Sequence, residues 1–220
     1  MNIINASYEI MCPCLDDKNE VNRIYQQIEK AGRTCYKSED KITEESAEKF
    51  VRAMVSHGHE AMLEHAYMTV KFIVDRGVSH ELVRHRLCSF AQESTRYCNY
   101  SKEKFGNELT FIEPYYFKNA PHESVKNFWK QAMNKCEDAY MAMLEAECTP
   151  EEARCVLPNS LKTEVIMTAD MREWRNIFKL RAAGEHGKPH PQMLEVMVPL
   201  LNECREKLPA LFEDVLPMDE

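Results

Sequence analysis

Glycine is scarce in this chain, six in 220 residues, and no long apolar run occurs. The first absence goes with another: neither GxxxxGK[ST] nor GxGxxG is present, so any bound phosphate must be held by side chains rather than a glycine cradle. The second excludes a bilayer-spanning helix, which needs roughly 20 consecutive apolar residues. Basic residues are in deficit, 28 Lys and Arg against 36 Asp and Glu, for a net charge of -8. A chain of that sign lacks the broad basic surface on which nucleic-acid backbone binding depends, so no nucleic-acid partner is expected. The opening Met1-Asn2-Ile3-Ile4-Asn5 has neither a basic n-region nor an apolar h-region, and a cytoplasmic location is expected. Nine cysteines, an odd number, are then expected to be reduced. Cys12-Pro13-Cys14 has one residue between its thiols and no second pair follows, so no metal site is expected there.

Glu, Lys, Ala, Met and Leu are abundant instead, and these favour helices. With 44% apolar residues the chain can bury a core as one helix-rich α+β domain, residues 1–220. Apolar spacing predicts helices over 21–31 and 43–57, the second with Phe50, Val51, Met54 and Val55 on one face and Gly58 as its stop. Alternation predicts a strand over 67–74 and another over 108–112, stopped by Pro114. The longest helix is predicted over about 122–147, with Val125, Phe128, Ala132, Cys136, Ala139 and Met143 as its core-facing stripe. Thr149-Pro150-Glu151-Glu152 reads as a capping box with proline at the first helical position, opening a short helix that Pro158 ends. Residues 159–168 fit either a strand or a tight connector. Asp170 caps a helix running to Arg181, with Arg172, Asn176 and Leu180 along one stripe. After a polar loop a single final helix is predicted over about 192–212.

Against the acidic background, residues 84–97 are a local charge inversion: Arg84, Arg86 and Arg96, with His85 and several hydrogen-bonding side chains, in fourteen positions. The planar guanidinium fork matches phosphate and carboxylate oxygens, although arginines also serve as structural ion-pair partners. Ser79 is a plausible cap for a short helix whose last turn carries Arg84, His85 and Arg86. On a helix Arg84 and Arg86 point about 200° apart and serve two ligands, or two parts of one. Residues 87–95 read as a polar loop returning to Arg96.

Arg84-His85-Arg86, followed after seven residues by Ser94, resembles the signature of flavin-dependent thymidylate synthases. Three more blocks resemble that family in the same order: His57-Gly58-His59-Glu60-Ala61-Met62-Leu63-Glu64-His65, Glu152-Ala153-Arg154-Cys155-Val156-Leu157-Pro158, and residues 167–181. The likeness runs over roughly residues 33–200. It implies a small central antiparallel sheet among helices. It also implies a reaction, methylene transfer from 5,10-methylenetetrahydrofolate to deoxyuridine monophosphate (dUMP), with FAD, reduced by NADPH, supplying the hydride. The nucleotide-binding residues it implies are Glu81, Arg84, Gln92, Glu93, Ser94, Thr95, Arg96, Arg154 and Arg181. The FAD set is His59, Ala61, Arg84, His85, Arg86, Gln92, Asp170, Arg172, Asn176 and His190. A homotetramer with sites shared between subunits is implied as well.

Arg181 matches the family residue that acts on uracil, and its chemistry can be argued separately. For C5 of uracil to attack an electrophile, loss of the N3 proton must push electron density into the ring. Arginine is too basic to take that proton, so its role is electrostatic: a fixed cation favours the ring anion. No enzyme nucleophile is required, and Cys88 and Cys98 read as small packing residues. The chain departs from the family pattern at three positions. Ala61 stands where many relatives have Ser or Thr, so a hydroxyl contact to flavin is absent. Glu81 replaces a glutamine of some relatives and could pair with Arg84. Asp170 stands where asparagine is common, and its charge near flavin phosphates needs Arg172 or Arg175 to compensate.

Two other readings use the same residues. His57, His59, His65, His80 and His85, beside Glu60, Glu64 and Glu81, could belong to a metal-dependent hydrolase, but His80 and His85 are five apart where one helical face needs four. A helical regulator that binds an anion without turnover would also account for the arginines. His57, His80 and His186 are expected at the surface or in packing.

Overall fold

A computed structural model describes residues 1–119 and 123–218. Among them are six strands: β1 (Asn2–Ile4), β2 (Ser7–Cys12), β3 (Tyr67–Asp75), β4 (Cys88–Gln92), β5 (Thr110–Ile112) and β6 (Lys162–Asp170). The helices are α1 (Lys18–Tyr36), α2 (Ser46–Ser56), α3 (Arg76–Leu82), α4 (Glu123–Glu145), α5 (Pro150–Ala153), α6 (Met171–Arg181), α7 (Pro191–Lys207) and α8 (Pro209–Phe212), joined by short 3-10 turns. Four strands form one sheet in the order β2-β3-β6-β4, and β1 pairs in parallel with β5. Strands β3 and β6 are antiparallel: Met171 N–H donates to Ala66 O near one end, Thr69 Oγ1 meets Thr168 Oγ1 at 2.9 Å, and Arg76 N–H donates to Leu161 O beyond the other. The architecture is the α+β one read from the sequence.

The chain folds into two compact units built from interleaved segments. Unit 1 comprises Met1–Ser7, Phe72–Arg84 and Ala91–Val165; unit 2 comprises Tyr8–Lys71, His85–Phe90 and the residues from Ile166 onward. In unit 1, Leu109, Phe111, Met133, Tyr140, Ala153 and Leu161 form the buried cluster, with Trp129, Met143 and Leu144 packed against it. In unit 2, Ile28 of α1, Val51 of α2, Met68 and Val70 of β3, Trp174 and Phe178 of α6, and Leu200 of α7 are buried. Gly32 lets α1 and α2 approach closely, since a Cβ there would lie 2.5 Å from the Phe50 ring. Gly58, at φ 70, stands just beyond α2 in the left-handed conformation expected of its stop.

Several elements depart from the sequence reading for physical reasons. Asp75, not Ser79, caps α3: its Oδ1 accepts the Val78 N–H at 2.7 Å, while Ser79 lies inside the helix with its hydroxyl donating to Arg76 O. The helix ends at Leu82, and Arg84, His85 and Arg86 occupy the turn into β4 instead of a last helical turn. Burial separates His85, which is buried, from Arg84 and Arg86, which are exposed. Residues 88–92, read as loop, are a strand whose half-buried Cys88, Phe90 and Gln92 alternate with exposed Ser89 and Ala91.

Position 122 lies outside the described residues, and α4 is described from Glu123. Its predicted stripe fails at the N-terminal half: Val125, Phe128 and Ala132 are exposed, and Trp129, Met133, Cys136 and Tyr140 turn inward. That face is rotated by one residue, about 100°. The larger aromatics win it because they bury more area and find partners, Trp129 Nε1 donating to Ser160 Oγ and the Tyr140 hydroxyl to Cys98 O. The C-terminal helix is two helices, broken at Leu208 because Pro209 cannot donate a backbone hydrogen bond. Strands β1 and β2 add to those expected from the sequence. The capping box at Thr149 and the Asp170 cap are both present as read.

Candidate active site

In unit 2 the geometry is set by the junction of β6 and α6. The strand ends on Asp170, whose Oδ1 accepts the Glu173 N–H at 2.8 Å and starts the helix. Trp174, Ile177 and Phe178 fasten one side of α6 in the core, with Trp174 Nε1 donating to Met68 O. Arg172, Asn176 and Lys179 project on another side into a cleft of about 430 Å³ that Glu60, Glu64, Leu87, Asp170, Glu173 and Arg175 also line. Arg172 is exposed and paired with Glu64. Arg175 is 2% exposed and fully employed: Nε donates to Glu60, both terminal nitrogens to Asp214 at 2.7 Å, and one of them to Leu211 O. The guanidinium beside Asp214 holds that carboxyl below its usual range.

At the far end of α6, Arg181 Nε donates to Nε2 of His85 at 3.2 Å. His85 is buried, and its Nδ1 lies 3.5 Å from Oε1 of Glu173, a carboxylate itself 8% exposed. Burial first and the Arg181 charge second push the imidazole down to about 4, so it is neutral at physiological pH. Burial raises the Glu173 carboxyl, with Asp170 adding to the rise and a hydrogen bond from Asn176 opposing it. Cys88 is pushed up to about 12 by burial and then by Glu173 and Asp170, so no thiolate forms there at neutral pH. All nine cysteines are free thiols.

In unit 1 a second cleft, about 500 Å³, is lined by Arg76, His80, Thr95, Glu151, Arg154, Cys155 and Asn159 among others. Arg96 Nε donates to Glu151 at 2.8 Å, in an ion pair about half exposed on both sides. Pairs of that kind are worth at most about 1 kcal/mol and exchange readily for a better anion. The Arg154 guanidinium has no ion pair among the described residues. The end of β4 is braced: Gln92 Nε2 donates to Ser79 Oγ and Thr163 Oγ1, and Glu93 accepts from Tyr100 and from Lys162. Ser94 then turns the chain, its hydroxyl accepting from Arg96 N–H and its carbonyl from Tyr97 and Cys98.

The residues picked out from sequence divide between these places. Thr95 and Arg154 line the unit 1 cleft, and Arg96 pairs with Glu151 of its lining; Glu81, Arg84, Gln92, Glu93 and Ser94 belong to the same unit. Asp170, Arg172 and Asn176 line the unit 2 cleft, and His85 and Arg181 touch; Ala61, Arg86 and His190 lie elsewhere in that unit. His59 bonds the Tyr36 hydroxyl through Nδ1, and His190 Nδ1 caps α7. Among the described residues no three His, Cys, Asp or Glu side chains are arranged to hold a metal, so the hydrolase reading has no ligand set. His80, expected to be a bystander, borders the unit 1 cleft, as does Arg76. Glu173 was missed, and only its place one turn from Asn176 hinted at it.

Comparison with known proteins identifies the family. The family model described as thymidylate synthase complementing protein matches residues 20–210. A flavin-dependent thymidylate synthase of Geobacter sulfurreducens is 30% identical over 194 residues, 85% of this chain and 80% of that protein. Another, from Corynebacterium diphtheriae, is 31% identical over 203 residues, 85% of this chain and 77% of the relative. The crystal structure of a UMP/dUMP methylase, PolB from Streptomyces cacaoi, bound with 5-Br dUMP, shares the fold at TM-score 0.77 and 20% identity, covering 97% of this chain and 96% of that one. By sequence over most of its length, with the fold in accord, this chain is a member of the flavin-dependent thymidylate synthase family.

Proposed function

We propose that the chain, acting as one functional domain over residues 1–220, catalyses the reductive methylation of dUMP to thymidylate. The carbon comes from 5,10-methylenetetrahydrofolate and the reducing equivalents from NADPH by way of FAD. The observation that carries the proposal is Arg181 held against a neutral, buried His85. A neutral imidazole that accepts from the guanidinium orients it without adding a counter-charge of its own. Placed beside N3 and its neighbouring carbonyl, Arg181 stabilises the ring anion, and C5 becomes the nucleophile. The protonated thiol of Cys88 supports a route without a cysteine adduct.

The remaining assignments follow donor chemistry. Arg96, Arg154 and Arg84 serve the nucleotide, with phosphate displacing Glu151 from Arg96. Thr95 and Ser94 offer hydroxyl and backbone donors, and Glu81 contributes a carboxylate acceptor. Gln92 has its amide nitrogen committed to Ser79 and Thr163, so its oxygen accepts from the nucleotide. Glu93 holds the turn through Tyr100 and Lys162.

The unit 2 residues fit a flavin: Arg172, Asn176 and Lys179 present donors for a diphosphate, and Leu87, 73% exposed at the cleft, offers an apolar surface to a ring system. His59, Arg84, Arg86 and His190 would hold it with them, while Ala61 contributes backbone only. Asp170 uses one carboxylate oxygen as the α6 cap and contacts flavin last of the set. Bound FAD supplies the hydride, chemistry that no protein side chain provides. A homotetramer in the cytoplasm completes the proposal, and no helix among the described residues is long and apolar enough to cross a membrane.

The test is direct. Purified protein should carry a visible flavin band and convert dUMP to thymidylate only when both NADPH and methylenetetrahydrofolate are present, and its gene should rescue a thymidine-requiring strain. A colourless protein that binds dUMP with no turnover, reconstituted with FAD or not, would instead support an anion-binding regulator.

A further inference from the structure

Glu173 is costly where it stands. A carboxylate 8% exposed and without a lysine or arginine partner among the described residues is a poor choice over an apolar side chain of the same size. Its neighbours are the Asn176 amide, 3.3 and 3.4 Å from its two oxygens, and Nδ1 of His85 at 3.5 Å. Glu173 and Arg181 lie two turns apart on α6, on the same row of the helix, and His85 reaches both.

The proton positions on His85 are constrained by that placement. Arg181 Nε has a hydrogen to give and nothing to accept with, so Nε2 of His85 must present a lone pair. A neutral imidazole then carries its single proton on Nδ1, the nitrogen that faces Glu173. Were the proton on Nε2 instead, two N–H groups would meet head-on and the guanidinium would swing away. Nothing in Arg181 itself selects between these forms except that clash; the carboxylate at the other nitrogen does.

We propose that Glu173 is a positioning residue for the reaction: it holds His85 as the Nδ1–H tautomer, and His85 in turn aims Arg181. The inference rests on the reading of Arg181 as the catalytic cation. Asn176, of the flavin set that the resemblance implies, steadies Glu173, so the helix face that borders the cleft also sets the cation's direction. The role parallels a carboxylate that orients a histidine in other enzymes, where loss of the correct tautomer costs activity although the geometry survives.

Nitrogen-15 NMR on histidine-labelled protein tests this, with His85 assigned by difference against His85→Gln. Wild type should show a protonated Nδ1 and an unprotonated Nε2 at pH 8. Glu173→Ala should shift His85 toward the Nε2–H form and lower kcat by about ten- to a hundredfold, the usual scale for an outer-shell orienting group, with KM for dUMP and the flavin band little changed. Glu173→Gln, whose side-chain oxygen can accept the same proton, should recover most of kcat. An Nε2–H tautomer in the wild-type spectrum, which requires no variant to fold, would overturn the proposal. So would Glu173→Ala with wild-type kcat, or a loss of kcat with the His85 tautomer unmoved. If Arg181→Ala turned over normally, the assignment of Arg181 would fall while the NMR measurement still decided the tautomer.

Discussion

The two units treat arginine differently. In unit 2, Arg175 is buried against Glu60, Asp214 and Leu211 O. In unit 1, Arg154 is exposed with no ion pair among the described residues, and Arg96 has one exposed carboxylate that water already screens. An arginine that builds a fold must have its charge answered by the protein, because a buried cation without partners is prohibitively costly. One that awaits a ligand must not. Arg181 adds a third arrangement: a neutral imidazole accepts from its Nε and fixes its direction.

The strongest break of that comparison is Arg181→Ala. Its kcat should fall by about a hundred- to a thousandfold, roughly 3–4 kcal/mol of transition-state stabilisation, with the flavin band retained. Steady-state assays and absorbance check both halves. Arg175→Met should instead act on the fold, costing about 3 kcal/mol of stability, seen in a denaturant titration.

Acidification sharpens the contrast further. Because the folded state keeps His85 near 4 while the unfolded chain protonates it from 6.5, its stabilising contribution is whole above about pH 6.5 and drains away as pH falls toward 4. The full swing is at most about 3 kcal/mol. Glu173, whose carboxyl is raised in the fold, takes up its own proton earlier than in the unfolded chain and offsets part of that loss. His85→Gln should flatten this limb in thermal melts recorded against pH. Arg154→Ala should have the smallest effect, leaving stability alone and raising KM for dUMP about tenfold or more, the cost of one charge-assisted hydrogen bond.

Elements that announce themselves through local chemistry were readable in advance. Asp170 caps α6, and Thr149 with Glu152 closes a capping box, because short polar side chains at helix starts satisfy donors within three residues. What depends on distant packing was not. The face of α4 turned about 100° because Trp129 and Tyr140 found Ser160 and the Cys98 carbonyl, partners some thirty or more positions away. At the site, the motif residues Arg84, His85 and Arg86 look equivalent in sequence, yet burial singles out His85. Glu173 read as one more acidic residue in a charged helix until its exposure was known.

The walls of the α6 cleft carry Glu60, Glu64, Asp170 and Glu173 against Arg172, Arg175 and Lys179, four negative groups and three positive. So nearly balanced a lining projects little field for dissolved ions to screen. A diphosphate would be retained there by aligned donors rather than by long-range attraction, and ionic strength should barely alter cofactor retention. Capture of a phosphomonoester by the bare guanidinium of Arg154 should weaken steadily as salt rises. Loading with cofactor and uptake of substrate would then respond to separate solution variables, and a salt titration alone could pull them apart.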